Sequence, residues 1–437
     1  MNISINRRTF LAFSSSLLAN ICFPYREVAA TKVERSSWIH PGGVLKVGFL
    51  WSLKGGLATI EKPSRDVGLF WVDEVNKNGG VAGFKIEPVV FDAESDMKTY
   101  RVGIKKLIHK DKAVAVFGGF TSASRRSVMP LVTLANHLFY YPTVFEGREC
   151  WQNLICTGAL ANQHSFNLVP YMVKHFGPRA YFIGSNYVWP KESNRNARHW
   201  LKNANGEMVG EQYMPLGLGK FDPILEDVKK KKADWIFLTV VGDSELFFRK
   251  AYIKAGFTPD KVPTAALTTS EMEIKAMGYE YGHGHYTSAP YFQSINHPTN
   301  HKFVESFLSS PYGESGVTHA NMESTYLSFL FFKKAVEKLV SELGESSITP
   351  KNIRDFSSDL SLSAEESPQG HIRIDPDNFH CWLTPKIGRF DSRGQVEIMH
   401  EVNKLVKPEP LILYPHRGTC LPDGLHLPSG KIVKAAS

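Results

Sequence analysis

Beginning at residue 44, short apolar runs alternate with segments in which apolar residues return every three or four positions. Val44 to Leu50 reads as a strand. The segment behind it sets Val67, Trp71 and Val75 on one helical face until Asn78-Gly79-Gly80 stops it. Ile86 to Phe91, Ala113 to Phe117 and Leu138 to Tyr141 continue as strands, separated by helices over Tyr100 to His109 and Ser122 to Asn136. The same grammar restarts at Ala180. Strands are predicted at Ala180–Gly184, Met208–Tyr213, Trp235–Val241 and Val262–Leu267, with helices at Glu192–Asn203, Pro223–Lys231 and Glu245–Ala255. This alternation predicts an α/β fold of two doubly wound lobes, parallel sheets with helices on both faces. After His283 to Tyr291 the pattern turns helical, most of all over Met322 to Leu343, where Tyr326, Leu330 and Leu339 oppose Lys333 and Lys334. Residues 359–370 and 403–437, rich in Ser, Pro and Gly, read as loop and tail.

A length of 437 residues exceeds one compact core and fits about two domains. With 43% hydrophobic and 22% charged residues the composition is that of a globular protein. No apolar run approaches the ~20 residues of a membrane span, so no membrane insertion is expected once the leader is removed. That leader is residues 1–30. Arg7-Arg8 precedes the apolar run Leu11 to Phe23 and the small residues Val28-Ala29-Ala30, the order of a twin-arginine export signal. Cys22 follows Ala19-Asn20-Ile21, which is no lipobox. Cleavage leaves Cys150, Cys156, Cys381 and Cys420 in an oxidising compartment, where a Cys150–Cys156 pair and unpaired burial both stand open. The net charge of +8 changes little: its densest run, Lys229 to Lys232, closes a helix, and no basic stripe with interleaved aromatics points to nucleic acid.

Candidate chemistry lies where strands end. Phe117-Gly118-Gly119-Phe120-Thr121-Ser122 carries a strand through two glycines into a helix, so that Phe120 and Ser122 stand where free N–H groups meet a ligand oxygen. An ordinary helix cap is the plainer reading of Ser122. Tyr141 and Thr143 end the next strand, and Tyr187 and Trp189 end the first strand of the second half. Asp243 and Glu271, near strand ends, suit either a ligand amino group or the first turn of a helix. No Walker A or G-x-G-x-x-G pattern occurs, and Gly313-Glu314-Ser315-Gly316 is one residue short of a nucleophile elbow. His283-Gly284-His285 lacks a third ligand nearby, so no metal and no cofactor is expected. Hydroxyls and aromatics without an arginine clamp favour a small neutral ligand.

Several motifs together resemble type I periplasmic binding proteins of the urea and short-chain amide branch. They are Gly119 to Arg125, Tyr141-Pro142-Thr143 with Glu146-Gly147, Gly158 to Gln163, Gly184 to Pro190, Leu267 to Glu271, Ala289 to Ile295, Ser367 to Gly370 and Lys407 to Pro410. The likeness spans roughly residues 44 to 412. Thr121 to Arg125 is nearer the urea ABC-transporter receptor, and Tyr141 to Thr143 with Leu267 to Glu271 nearer the amide sensor of aliphatic amidase operons. The resemblance implies two Rossmann-like lobes joined by three hinge crossovers: residues 44–158 with 291–368 returning, and 159–290 with part of 369–402. It also implies that Ser122, Tyr141, Thr143 and Tyr187 line an amide pocket. Phe120 stands where relatives carry Tyr or Trp, and Trp189 where they carry Tyr or Phe. The expectation is a periplasmic receptor that hands urea or a short amide to an ABC permease and breaks no bond. A cytoplasmic amide sensor, a branched-chain amino acid receptor and a periplasmic amidohydrolase are the alternatives.

Overall fold

A short strand, Ile39–His40 (β1), folds back on Val44–Trp51 (β2), whose residues from Val47 onward are all buried. The computed structural model describes residues 36–217 and 219–414, with two further short strands at Leu425–His426 and Ile432–Val433. The expected leader, Cys22 and Cys420 lie outside the described residues. From β2 the chain runs through Ala58–Lys77 (α1), Lys85–Asp92 (β3), Met97–Lys105 (α2) with a π turn at Lys106–Lys110, and Ala115–Gly118 (β4). Ser122–Leu134 (α3), Phe139–Tyr141 (β5) and Leu154–Cys156 (β6) complete the first half. Val67, Trp71 and Val75 are buried on α1, the face their spacing predicts. The strands pair in parallel in the order β3-β2-β4-β5-β6, with β1 antiparallel to the start of β2.

Ala161–Phe176 (α4) opens the second half. It is followed by Arg179–Ser185 (β7), Val188–Asn203 (α5), Glu207–Met214 (β8), Asp222–Lys230 (α6), Trp235–Thr239 (β9) and Asp243–Lys254 (α7). Thr264–Ala266 (β10), Glu271–Met277 (α8) and Tyr286–Ala289 (β11) end it. The parallel order β8-β7-β9-β10-β11 repeats that of the first lobe, a strand order of 2-1-3-4-5 in each.

Three further helices, Pro298–Leu308 (α9), Ala320–Leu343 (α10) and Pro350–Ser357 (α11), return to the first lobe. Phe329 of α10 stacks on Phe117 at 4.0 Å and on Trp71 at 4.9 Å, and Phe117 stacks on Tyr140 at 4.6 Å. A three-stranded sheet follows, made of Ser361–Leu362 (β12), Ile372–Ile374 (β13) and Cys381–Trp382 (β14). The chain then crosses again, and Lys386–Phe390 (β15) and Val396–Glu401 (β16) add antiparallel strands to the β11 edge of the second sheet.

One helix, α4, goes unread in the sequence pattern, and the tail and the cysteine pair need correction. α4 carries no clear apolar period because Asn162, Gln163, His164, Ser165 and Asn167 are all buried in it. The side-chain amides of Asn162, Gln163 and Asn167 bond carbonyls of Lys407, Cys381, Val406 and Pro385 at the crossovers. Hinge chemistry, with buried polar groups hydrogen-bonded to backbone, hides the helix from a pattern reading. The part of the tail that follows β16 is packed: Pro408, Pro410 and Tyr414 are buried. Cys150 is disulfide-bonded, whereas Cys156 and Cys381 are free and buried, so the pair is not Cys150–Cys156.

Candidate functional site

Parallel strands of both lobes deliver their carboxyl ends to one cleft of about 770 Å³. β4 ends in Gly118, where an added Cβ would stand 2.1 Å from the Leu50 carbonyl, and in Gly119, whose φ of +72° suits glycine. The chain thereby turns sharply into α3. Thr121 is the cap of that helix: its hydroxyl accepts the Ser124 amide, and the Ser124 hydroxyl accepts the Thr121 amide in return. Ser122 is the first helical residue, not the cap. The amides of Ser122 and Ala123 therefore have no acceptor inside the helix, and both residues line the cleft.

Phe120, Ser122, Tyr187 and Trp189 come together on the cleft walls, the first two from one lobe and the others from the second. Tyr141 and Thr143 do not reach the wall. The Tyr141 hydroxyl donates to the Phe120 carbonyl at 2.6 Å and accepts from Arg125 at 3.3 Å, while its ring is wholly buried. Thr143 donates to Oδ1 of Asn321 at 3.3 Å, and Asn321 is itself on the wall. Both residues hold what lines the cleft. The sequence pattern gave no sign of His164, Ser288, His319 or Asn321, which also line it. His164 lies on α4, Ser288 on β11, and His319 and Asn321 at the start of α10, and none of them stands at a glycine turn from strand into helix.

The walls are acidic. Asp243, Glu245, Glu271 and Glu273 line the cleft, and among the described lining residues there is no Lys or Arg. Glu245 is neutralised by Arg249 at 2.8 Å and accepts the Thr269 hydroxyl at 2.6 Å. Glu273 accepts the Ser270 amide in a capping box. Glu271 differs. Its Oε1 accepts the Gln293 amide at 2.8 Å, but Oε2 is buried with no partner among the described residues. Burial raises its carboxyl to a pKa of about 7, against the pull of nearby backbone N–H groups. Nε2 of His319 and Oγ of Ser288 are likewise buried and unpartnered. Burial lowers His319 and His164 to about 4, so both are neutral at pH 7.

A charged frame stands behind the first wall. Arg125 of α3, fully buried, donates to Glu149 at 2.7 Å and to Glu146 at 2.8 Å, and its guanidinium lies 4.1 Å over the Phe145 ring. Arg249 does similar work on α7, bonding Glu245 and donating to Thr264 at 2.7 Å. His285, from the His283-Gly284-His285 pair, accepts the Thr264 amide at 3.1 Å. The cleft thus offers a donor end at α3, an unpaired acceptor at Glu271, and aromatic surface between the lobes.

Comparison with known proteins adds lineage. The family model described as periplasmic binding protein domain matches residues 45–416. Over 106 residues the chain is 34% identical to Leu/Ile/Val-binding protein homolog 6 of Brucella suis biovar 1, covering 24% of this chain and 27% of that one. Over 136 residues it is 29% identical to limonene hydroxylase of Geobacillus stearothermophilus, covering 31% of this chain and 23% of the other. The chain therefore matches less than a third of the length of either curated relative. A solute binding protein of an ABC transporter from Rhodopseudomonas palustris BisB5, solved with 3,4-dihydroxybenzoic acid, superposes with a TM-score of 0.73 at 19% identity. That match covers 84% of this chain and 99% of the other. The branched-chain amino acid receptor LivJ of Streptococcus pneumoniae, solved with isoleucine, gives 0.71 at 17% identity, covering 84% and 100%. At such identities the likeness is one of fold.

Proposed function

Because the chain belongs to the periplasmic binding protein domain family, we propose that it is the solute receptor of an ABC importer, capturing urea or a short aliphatic amide between its lobes. One observation carries the reading: a buried carboxylate oxygen without a partner on a wall that has no Lys or Arg among its described residues. Such a wall supplies no cation to pair with a carboxylate ligand, and its open carboxylate oxygen asks for an N–H donor. An amide supplies that donor together with a carbonyl oxygen for Ser122 and the first amides of α3. Phe120, Tyr187 and Trp189 exclude water as the lobes close. Binding and release suffice, and no bond is broken.

The order of Arg7-Arg8, apolar run and small residues in 1–30 supports export to the periplasm, and this reading makes a permease of the inner membrane its partner. Replacing Arg7 and Arg8 together by Lys should leave precursor in the cytoplasm, read by cell fractionation. Wild-type protein that keeps residues 1–30 and stays in the cytoplasm favours the amide-sensor alternative.

A thermal-shift panel tests the ligand class. A ligand at ~100 Kd adds ~2.7 kcal/mol of stability. Urea, acetamide or propionamide should raise Tm, while benzoate should not. A second reading has its own support, since a carboxylate and free helix amides lining one cleft also match an amino acid zwitterion. Leucine or isoleucine raising Tm in place of the amides would make that the function.

A further inference from the structure

The segment after β16 leaves the second sheet and crosses the hinge. Val406 pairs with Leu383, the Lys407 carbonyl accepts from Asn162 at 3.0 Å, and the Pro408 carbonyl accepts from Asn378 at 3.2 Å. The Pro410 carbonyl accepts the Arg148 amide at 2.7 Å. A Cβ on the neighbouring Gly147, whose φ is +80°, would sit 2.5 Å from that same oxygen. Four residues later Tyr414 reaches the second lobe. Its hydroxyl donates to Glu192 of α5 and accepts from Arg195 at 2.7 Å. Arg148 closes the loop by pairing with Glu192 at 3.1 Å.

Both ends of this strap stand directly behind the walls of the cleft. Glu192 lies about one turn along α5 from Trp189. Arg148 is flanked by Gly147 and Glu149, and Glu149 is gripped by Arg125 in the first turn of α3, beside Ser122. We infer that Glu192 and Tyr414 are positioning residues: residues 402–414 clamp α5 to the 146–149 loop and so set the spacing between the Ser122 wall and the Tyr187–Trp189 wall. The inference rests on the cleft being the solute site. It adds that affinity depends on a tyrosine that does not touch the solute.

The test uses the full chain with Tyr414→Phe, which keeps the ring and loses only the hydroxyl, and Glu192→Gln as a second variant. Affinity is measured by calorimetry with urea and acetamide, and hydrogen–deuterium exchange is followed on peptides covering 145–150 and 186–192. The expected result is affinity weakened five- to tenfold in both variants, and exchange at 186–192 faster by at least tenfold while β7 and β9 exchange as before. Wild-type affinity in the two variants overturns the proposal, whatever the exchange shows. If neither urea nor acetamide binds the wild-type protein, the amide reading has failed. The strap is then judged on exchange alone, and unchanged protection at 186–192 overturns it.

Discussion

Glu271 and Ser122 face the same cleft and answer to different variables. Glu271 holds a proton up to about pH 7 in the folded protein, whereas the unfolded chain releases it near 4.5. The folded state therefore binds the extra proton between those values. The stability this brings is fully present below about 4.5 and is lost as pH rises through about 7, a difference of roughly 3 kcal/mol. Glu271→Gln should flatten the melting profile between pH 5 and 8 and melt above wild type at pH 8. Glu61, also raised to about 7 by burial, keeps part of the slope. Binding of the proposed amide has the opposite sign: its N–H on Oε2 would favour the carboxylate, so affinity for acetamide should increase from pH 6 to pH 8 in wild type and lose that dependence in the Gln variant, by calorimetry. At the other pole, Ser122→Ala should weaken binding by about 1–3 kcal/mol and leave the helix intact, because the cap is Thr121. Thr121→Ala should cost about 1 kcal/mol of stability instead. The sequence placed Ser122 correctly at a helix start but could not tell cap from first helical residue, since either position accepts serine. Tyr141 offers a hydroxyl at a strand end in the sequence, but Arg125 and the Phe120 carbonyl, which no local pattern marks as its partners, take that hydroxyl away from the cleft.

Elements differ in how plainly their residues announce them. α10 is legible as a helix from Tyr326, Leu330 and Leu339 opposite Lys333 and Lys334, but its buried face is Leu327, Phe331, Phe332, Ala335, Val336 and Leu339, with Tyr326 and Leu330 only half-buried at its margin. Removing Phe329, stacked between Phe117 and Trp71, should cost about 3–5 kcal/mol in urea unfolding. α4 stays hidden because its buried face is written in a histidine and in amides, and the amides of Asn162, Gln163 and Asn167 serve crossover carbonyls. α3 is legible as a helix, yet nothing local marks Arg125 as wholly buried; its carboxylate partners come 21 and 24 residues later. Arg125→Ala leaves Glu146 and Glu149 buried with one guanidinium fewer, and should destabilise by about 3–5 kcal/mol in urea unfolding. Because those carboxylates also brace the 146–149 loop, the same change should loosen the cleft wall as well as the fold.

At the scale of the molecule, the repeated strand order was readable as two runs of the same alternation, while the return of α9 to α11 to the first lobe was carried only by the family likeness. That return has a consequence for how the chain comes into being. The first lobe's core includes Phe329 and Leu339 from α10, Ile372 and Ile374 from β13 and Cys381 from β14. The second lobe's sheet is extended by β15 and β16, which reach residue 401. Neither lobe is a contiguous stretch, so neither can finish its core while the ribosome is still making the first three hundred residues. Early segments must wait, with apolar strand edges uncovered, for partners synthesised last. A fragment ending at residue 300 should accordingly bind hydrophobic dyes and show no cooperative melt, although it contains every parallel strand of both sheets.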